Sequence, residues 1–128
     1  MASDTRELES ITVDRTDGVV TITLRRPEKK NALTVEMYLA MADAIDAAGQ
    51  DPAVRALLIT GQPGIFTSGN DLQDFLNRPR PNIESSAVFL FMQALMSCEK
   101  PVGAAVTGAA IGIGTTMLLH CDLVYVAD

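Results

Sequence analysis

The chain has no tryptophan, one histidine and two cysteines, and its aromatic share is only 5%. A core built from it must therefore be aliphatic, drawn from Ala, Val, Ile, Leu and Met. Cys98 and Cys121 show neither paired-motif spacing nor the small secreted framework that disulfides staple, so reduced, buried thiols are expected and no metal site. The lone His120 falls near the expected C-terminus of a helix, where a cation is favoured. Positive charge is also scarce: 10 Lys and Arg against 16 Asp and Glu give a net charge of −6 and a pI near 4.6. That balance excludes a general nucleic-acid or anionic-membrane surface, which needs a basic footprint. Met1 to Ser10 is polar and acidic and lacks a signal-peptide pattern, so a cytoplasmic location is the default. The uncharged run from Val102 to Leu119 approaches the roughly 20 residues of a membrane helix, but Pro101 and four glycines break it into strand, loop and short helix.

What is present is 128 residues with 48% hydrophobic content, enough for one domain with a sizeable core. Residues 1–10 are expected to be a flexible N-terminal segment, and 11–128 the core. Ile11 to Asp14 and Val19 to Leu24 read as a hairpin around Asp17-Gly18. From Thr34, an expected N-cap, Val35, Tyr38, Ala42 and Ile45 recur at helical spacing, with Gly49 placed as the residue that ends the helix. Ala56 to Thr60 fits a strand buried on both faces. Arg78 to Pro81 reads as an exposed loop, and Ala87 to Met96 as a helix with Val88, Phe91 and Leu95 on one side. Val102 to Val106 and Leu123 to Asp128 read as strands. Strands alternating with helices predict an α/β fold with largely parallel pairing. The last strand has nothing after it to cover it, which suggests the first part of a larger fold.

Four of the ten basic residues, Arg25, Arg26, Lys29 and Lys30, crowd one loop. They are either a solvated turn or a contact for a phosphorylated ligand. Two further stretches place unhindered backbone N–H groups at chain reversals: Phe66-Thr67-Ser68-Gly69-Asn70-Asp71-Leu72, and Gly108-Ala109-Ala110-Ile111-Gly112-Ile113-Gly114 before a helix-like segment. Two such amides converging on one oxygen would make an oxyanion hole. Gly112-Ile113-Gly114 begins like a dinucleotide fingerprint, but the third glycine would fall at Met117, which argues against a Rossmann site.

Taken in order, Pro-Glu-Lys-Lys-Asn-Ala-Leu at 27–33, Phe-Thr-Ser-Gly-Asn-Asp-Leu at 66–72 and Lys-Pro-Val through Gly-Ala-Ala-Ile-Gly-Ile-Gly at 100–114 resemble the crotonase, or enoyl-CoA hydratase/isomerase, superfamily. The resemblance implies an α/β crotonase-like spiral core of ββα units, incomplete at the C-terminus. It implies an enzyme acting on an acyl-CoA thioester, with coenzyme A entering as part of the substrate and no separate cofactor. The oxyanion amides would belong to Asn70 and Ile113. Lys30 would contact CoA, while Ala32, Ser68, Gly69, Asp71, Leu72, Ile111 and Gly112 would line the acyl-CoA site; Asp71 could equally be a helix cap. Hydratases of this family carry a catalytic Glu where this chain has Thr116, and a hydroxyl is no substitute for a carboxylate base near neutral pH. The pattern is instead similar to the enoyl-CoA isomerase branch, whose carboxylate would lie beyond Asp128. Hydration or another crotonase chemistry, and a non-catalytic CoA-binding fragment, remain the alternatives. The resemblance also implies a homotrimer or hexamer for a full-length chain.

Overall fold

The computed structural model describes residues 4–8, 10–77, 86–106, 108–110, 117–118 and 120–126. The hairpin forms as its turn chemistry requires. Strands β2 (Ile11–Thr16) and β3 (Val19–Leu24) are antiparallel, with Thr16 opposite Val19 and both turn residues at positive φ, Asp17 at 55° and Gly18 at 81°. Two consecutive positive-φ residues match the right-handed twist of the flanking strands. The flexible segment expected over residues 1–10 is corrected at Asp4–Leu8, which form strand β1 antiparallel to β2. The free edge of β2 offers unpaired backbone groups, and Leu8 packs on the core.

Beyond β3 the sheet becomes parallel, running through β4 (Ala56–Thr60), β6 (Val102–Val106) and β8 (Leu123–Val126) in the spatial order β1-β2-β3-β4-β6-β8. A second, two-stranded parallel sheet joins β5 (Gly64–Thr67) to β7 (Gly108–Ala110). Each of β4 and β6 thus sends the chain into the small sheet before it continues, a repeated ββ step.

Helices α1 (Val35–Gln50) and α3 (Ala87–Ser97) pack together over one face of the large sheet, while the short α2 (Leu72–Leu76) lies between them in sequence. Alternate strand residues meet the helices: Val20, Ile22 and Leu24, then Leu57 and Ile59, then Val102, Ala104 and Val106 are buried against Met41, Ile45, Phe91 and Leu95. The reading of β4 as buried on both faces is therefore corrected. Leu58 and Thr60 are only partly covered, because α1 and α3 occupy a single side. Strand β8 is likewise a strand but a largely exposed one, with Leu123 at 54%, Tyr125 at 66% and Val126 at 70% exposure.

Thr34 caps α1 as expected, its hydroxyl accepting from the Met37 amide at 3.1 Å. The helix does not end at Gly49, however. It runs to Gln50 and stops at Asp51, whose extended backbone (φ −91°, ψ 114°) is the conformation that the following Pro52 imposes. The Lys100 ammonium then donates to the Ala48 and Asp51 carbonyls, a cation on the negative end of the helix. The proposed loop at Arg78 to Pro81 lies outside the described residues. Among the described residues no helix is long and apolar enough to cross a membrane.

Candidate functional site

The first two sequence motifs, some 35 residues apart, are zipped together by their backbones. Pro27–Lys29 forms a 3₁₀ turn, after which Lys30 and Asn31 take φ of 52° and 56° and turn the chain sharply. Asn31 is wholly buried; its side-chain oxygen accepts from the Arg26 amide at 2.7 Å and its nitrogen donates to the Phe66 carbonyl at 3.0 Å. The Thr67 hydroxyl donates to the Asn31 carbonyl at 2.6 Å and accepts from the Gly69 amide at 3.1 Å. Ser68 donates from its amide to the Lys30 carbonyl at 3.1 Å. One residue pair further on, the Leu33 amide donates to the Gly69 carbonyl and the Asp71 amide to the Leu33 carbonyl, both at 2.8 Å.

Those last two bonds aim the Asn70 amide. The Gly69–Asn70 peptide is trans and planar, so its N–H points opposite to its C=O. With that carbonyl held by Leu33, the Asn70 N–H is directed away from the 27–33 loop, and it makes no hydrogen bond among the described residues. Gly69 sits at φ 96°, a conformation that side chains rarely adopt, so the reversal depends on glycine.

Asp71 is a helix cap and an ion-pair partner. Its carboxylate accepts from the Asp74 amide at 3.0 Å, at the start of α2, and from Arg26 Nη1 at 2.7 Å, with both side chains mostly buried. The Asp74 carboxylate in turn accepts from the Val35 amide at 2.9 Å, so α2 caps α1. The Asp74 amide first, and then the Arg26 guanidinium, hold the Asp71 carboxyl below the usual carboxylate range. A carboxyl depressed in the folded state stabilises it above the unfolded-state pKa and loses that contribution as pH falls through the folded value. Asp71→Asn, which keeps a capping oxygen but loses the charge, is expected to lower the urea midpoint at pH 7 and to match wild type once both are acidified below the carboxylate range. Asp71→Ala loses the cap as well, a further ~1 kcal/mol.

The basic loop divides in two. Arg26 also donates to the Ala32 carbonyl at 3.0 Å, and Arg25 donates to Thr12 at 3.1 Å and Glu7 at 3.4 Å. Of the two readings left open for this cluster, neither holds for all four: the two arginines bond to the fold, while the side chains of Lys29 and Lys30 are exposed and bond to none of the described residues. Ala32 and Ser68 are half-buried beside the turn, and Leu72 is 75% exposed on α2. Ile111, Gly112, Ile113 and Thr116 lie outside the described residues. Their approach is nevertheless described: β7 pairs with β5 so that Gly108 faces Gly64 and Ala110 faces Thr67. Asn70 and Ile113 therefore each lie three residues beyond a paired position.

Cys98 and Cys121 are free, half-buried thiols, and burial, with the nearby Asp122, pushes the Cys121 thiol up to about 11. It carries little thiolate near neutrality.

Arg26, Asn31, Tyr38 and Thr67 carry the zipper, a role that neither the basic cluster, the helical spacing nor the motifs express. Asn31 alone had a usable signal, an asparagine where a turn needs positive φ.

A sequence model described as enoyl-CoA hydratase/isomerase matches residues 14–128. This chain belongs to that family. The family member "Enoyl-CoA delta isomerase 2" of Homo sapiens is 37% identical over 126 residues, 94% of this chain and 32% of that protein. The "4-chlorobenzoyl coenzyme A dehalogenase-2" of Arthrobacter sp is 36% identical, over 92% of this chain and 45% of that one. The solved structure of Pseudomonas aeruginosa OdaA superposes with a TM-score of 0.89 at 55% identity, covering 94% of this chain and 48% of that chain. The fold is thus the crotonase fold of this family, and the chain spans less than half the length of these relatives.

Proposed function

We propose that this chain provides the thioester-activating site of an enoyl-CoA isomerase, with the backbone amides of Asn70 and Ile113 as the two oxyanion donors. The observation that carries the reading is the Leu33–Gly69 hydrogen bond, which turns the Asn70 N–H outward from a pinned loop. The matched spacing of residues 70 and 113 beyond the Thr67–Ala110 pair supports their convergence, and the likeness to a delta isomerase supports the choice of reaction.

In this mechanism the thioester carbonyl oxygen of a 3-enoyl-CoA rests between the two amides. A base removes a proton from C2, the electron pair moves onto the oxygen, and the dienolate is held by the two N–H donors. The proton returns at C4, leaving the double bond between C2 and C3. Donors already in place need no reorganisation as the charge develops, and loss of one costs roughly 3 kcal/mol of barrier. Lys30 reaches the CoA moiety. Ala32, Ser68, Leu72, Ile111 and Gly112 border the acyl path.

Incubation with 3-enoyl-CoA should give 2-enoyl-CoA, seen as the rise in near-ultraviolet absorbance that conjugation brings. Faster consumption of 2-enoyl-CoA by hydration would favour the hydratase reading instead. Thr116→Ala should leave isomerisation within about twofold of wild type, because a hydroxyl is not the base; a hundredfold loss, the order of magnitude of losing a catalytic group, would place Thr116 in the chemistry.

A further inference from the structure

We infer that Tyr38 is a positioning residue, acting through the Asn70 side chain to fix the aim of the Asn70 backbone N–H. The inference rests on the oxyanion reading above and goes beyond it to a residue that touches no substrate. Tyr38 closes the first turn of α1, with no exposed surface, its ring edge-on to Phe75 of α2 at 6.1 Å and tilted against Phe91 of α3 at 5.5 Å. Three elements therefore fix the ring, and its hydroxyl has one place to go. That hydroxyl donates to Asn70 Oδ1.

The other restraints on the turn act on its neighbours. Leu33 holds Gly69 and Asp71, Thr67 holds the Gly69 amide, and Arg26 holds the Asp71 carboxylate. Among the described residues, Tyr38 alone bonds the side chain of residue 70 itself. A side chain tied at its tip fixes its own χ1 and the φ of its residue, and that φ is the rotation that swings the rest of the turn about the N–H. Burial also raises the Tyr38 hydroxyl out of any working pH range, so it stays a donor throughout. Asn70 is exposed, so if the hydroxyl is removed its carboxamide rehydrates and no buried polar group is orphaned. A purely structural role and a positioning role therefore predict different things for Tyr38→Phe.

The test uses the full chain and a saturated acyl-CoA carrying 13C at the thioester carbon, read by difference infrared spectroscopy. Wild type should bind the probe and move the carbonyl stretch to lower frequency, the signature of oxyanion donors. Tyr38→Phe should bind with a Kd within about twofold of wild type, melt within a few degrees of it, and lose roughly half of that carbonyl shift, with a roughly tenfold loss in isomerase turnover. Asn70→Ala, which keeps the backbone N–H, should show the same loss, and the double variant no more than either single one. An undiminished carbonyl shift in Tyr38→Phe, or a loss that adds fully to that of Asn70→Ala, overturns the role of Tyr38 while leaving the oxyanion reading intact. A wild-type complex with no carbonyl shift overturns the oxyanion reading, and the Tyr38 inference with it.

Discussion

Gly108→Ala is expected to destabilise the fold by ~3 kcal/mol, about the most an overpacked site costs, and to lower the melting temperature by on the order of 10 °C. A Cβ at residue 108 would lie 2.2 Å from both the carbon and the oxygen of the Gly64 carbonyl and 2.5 Å from the Ile65 amide nitrogen. All three are backbone atoms, so no side chain can swing aside. The only relief is to separate β5 from β7, which breaks the Gly64–Gly108 pair that begins their register. The comparison that isolates the cause is Gly64→Ala. Gly64 has φ 89°, but a Cβ there meets nothing within 4 Å. Its substitution costs conformational strain alone, about 1 kcal/mol. Urea denaturation of the two variants side by side should rank them in that order. Equal midpoints would mean that the close approach of the two strands is not maintained in solution. The effect should also reach function, since β7 comes just before Ile113, the proposed second oxyanion donor, along the chain.

Features carried by local chemistry were legible in the sequence. Asp17-Gly18 marked a hairpin turn, Thr34 a cap, and the spacing of Val88, Phe91 and Leu95 a helix face, and each formed, although the strand read as ending at Asp14 runs on through Arg15 and Thr16 and leaves a two-residue turn. Misreadings came where a tertiary neighbour decided the outcome. Gly49 looked like a helix stop, yet Pro52 and the Lys100 ammonium end α1 two residues later. Leu58 looked as buried as Leu57, but both covering helices chose one side. Asp4 to Leu8 has no apolar alternation, and only the open edge of β2 makes it a strand.

The candidate site divides along the same line. Its motifs are runs of consecutive residues and could be read, including the glycine that allows the reversal and the residue whose amide follows it. The hydrogen bonds that hold the turn could not. Asn31 to Phe66, Thr67 to Asn31, Arg26 to Asp71 and Tyr38 to Asn70 each join side chains to partners more than 30 positions away, and no periodicity records such a pairing. The two readings of the basic cluster at 25–30 stayed open for a related reason. Charge counts along a sequence cannot tell a free ammonium from a guanidinium already committed to Asp71, and that commitment is what braces the turn against the loop that follows β3.

The second large effect is on turnover rather than folding, at Gly69→Ala. At φ 96° an alanine is strained by about 1–3 kcal/mol, and the chain can relieve this by rotating residue 69 toward negative φ. The peptide that then moves is the one carrying the Asn70 N–H. Its carbonyl would leave the Leu33 amide, now 2.8 Å away, and the N–H on the opposite side of the same plane would swing off the thioester oxygen. The fold has other anchors nearby, in Asn31, Thr67 and the Arg26–Asp71 pair, so much of the molecule should tolerate the change. Loss of one aligned donor lowers kcat by roughly a hundredfold or more. KM should change far less, because a donor that grips hardest when the oxygen is an enolate contributes little to ground-state binding. Steady-state kinetics on 3-enoyl-CoA, with circular dichroism to confirm that the variant folds, would measure both. A variant that folds and keeps wild-type kcat would show that the amide following Gly69 takes no part in stabilising the transition state.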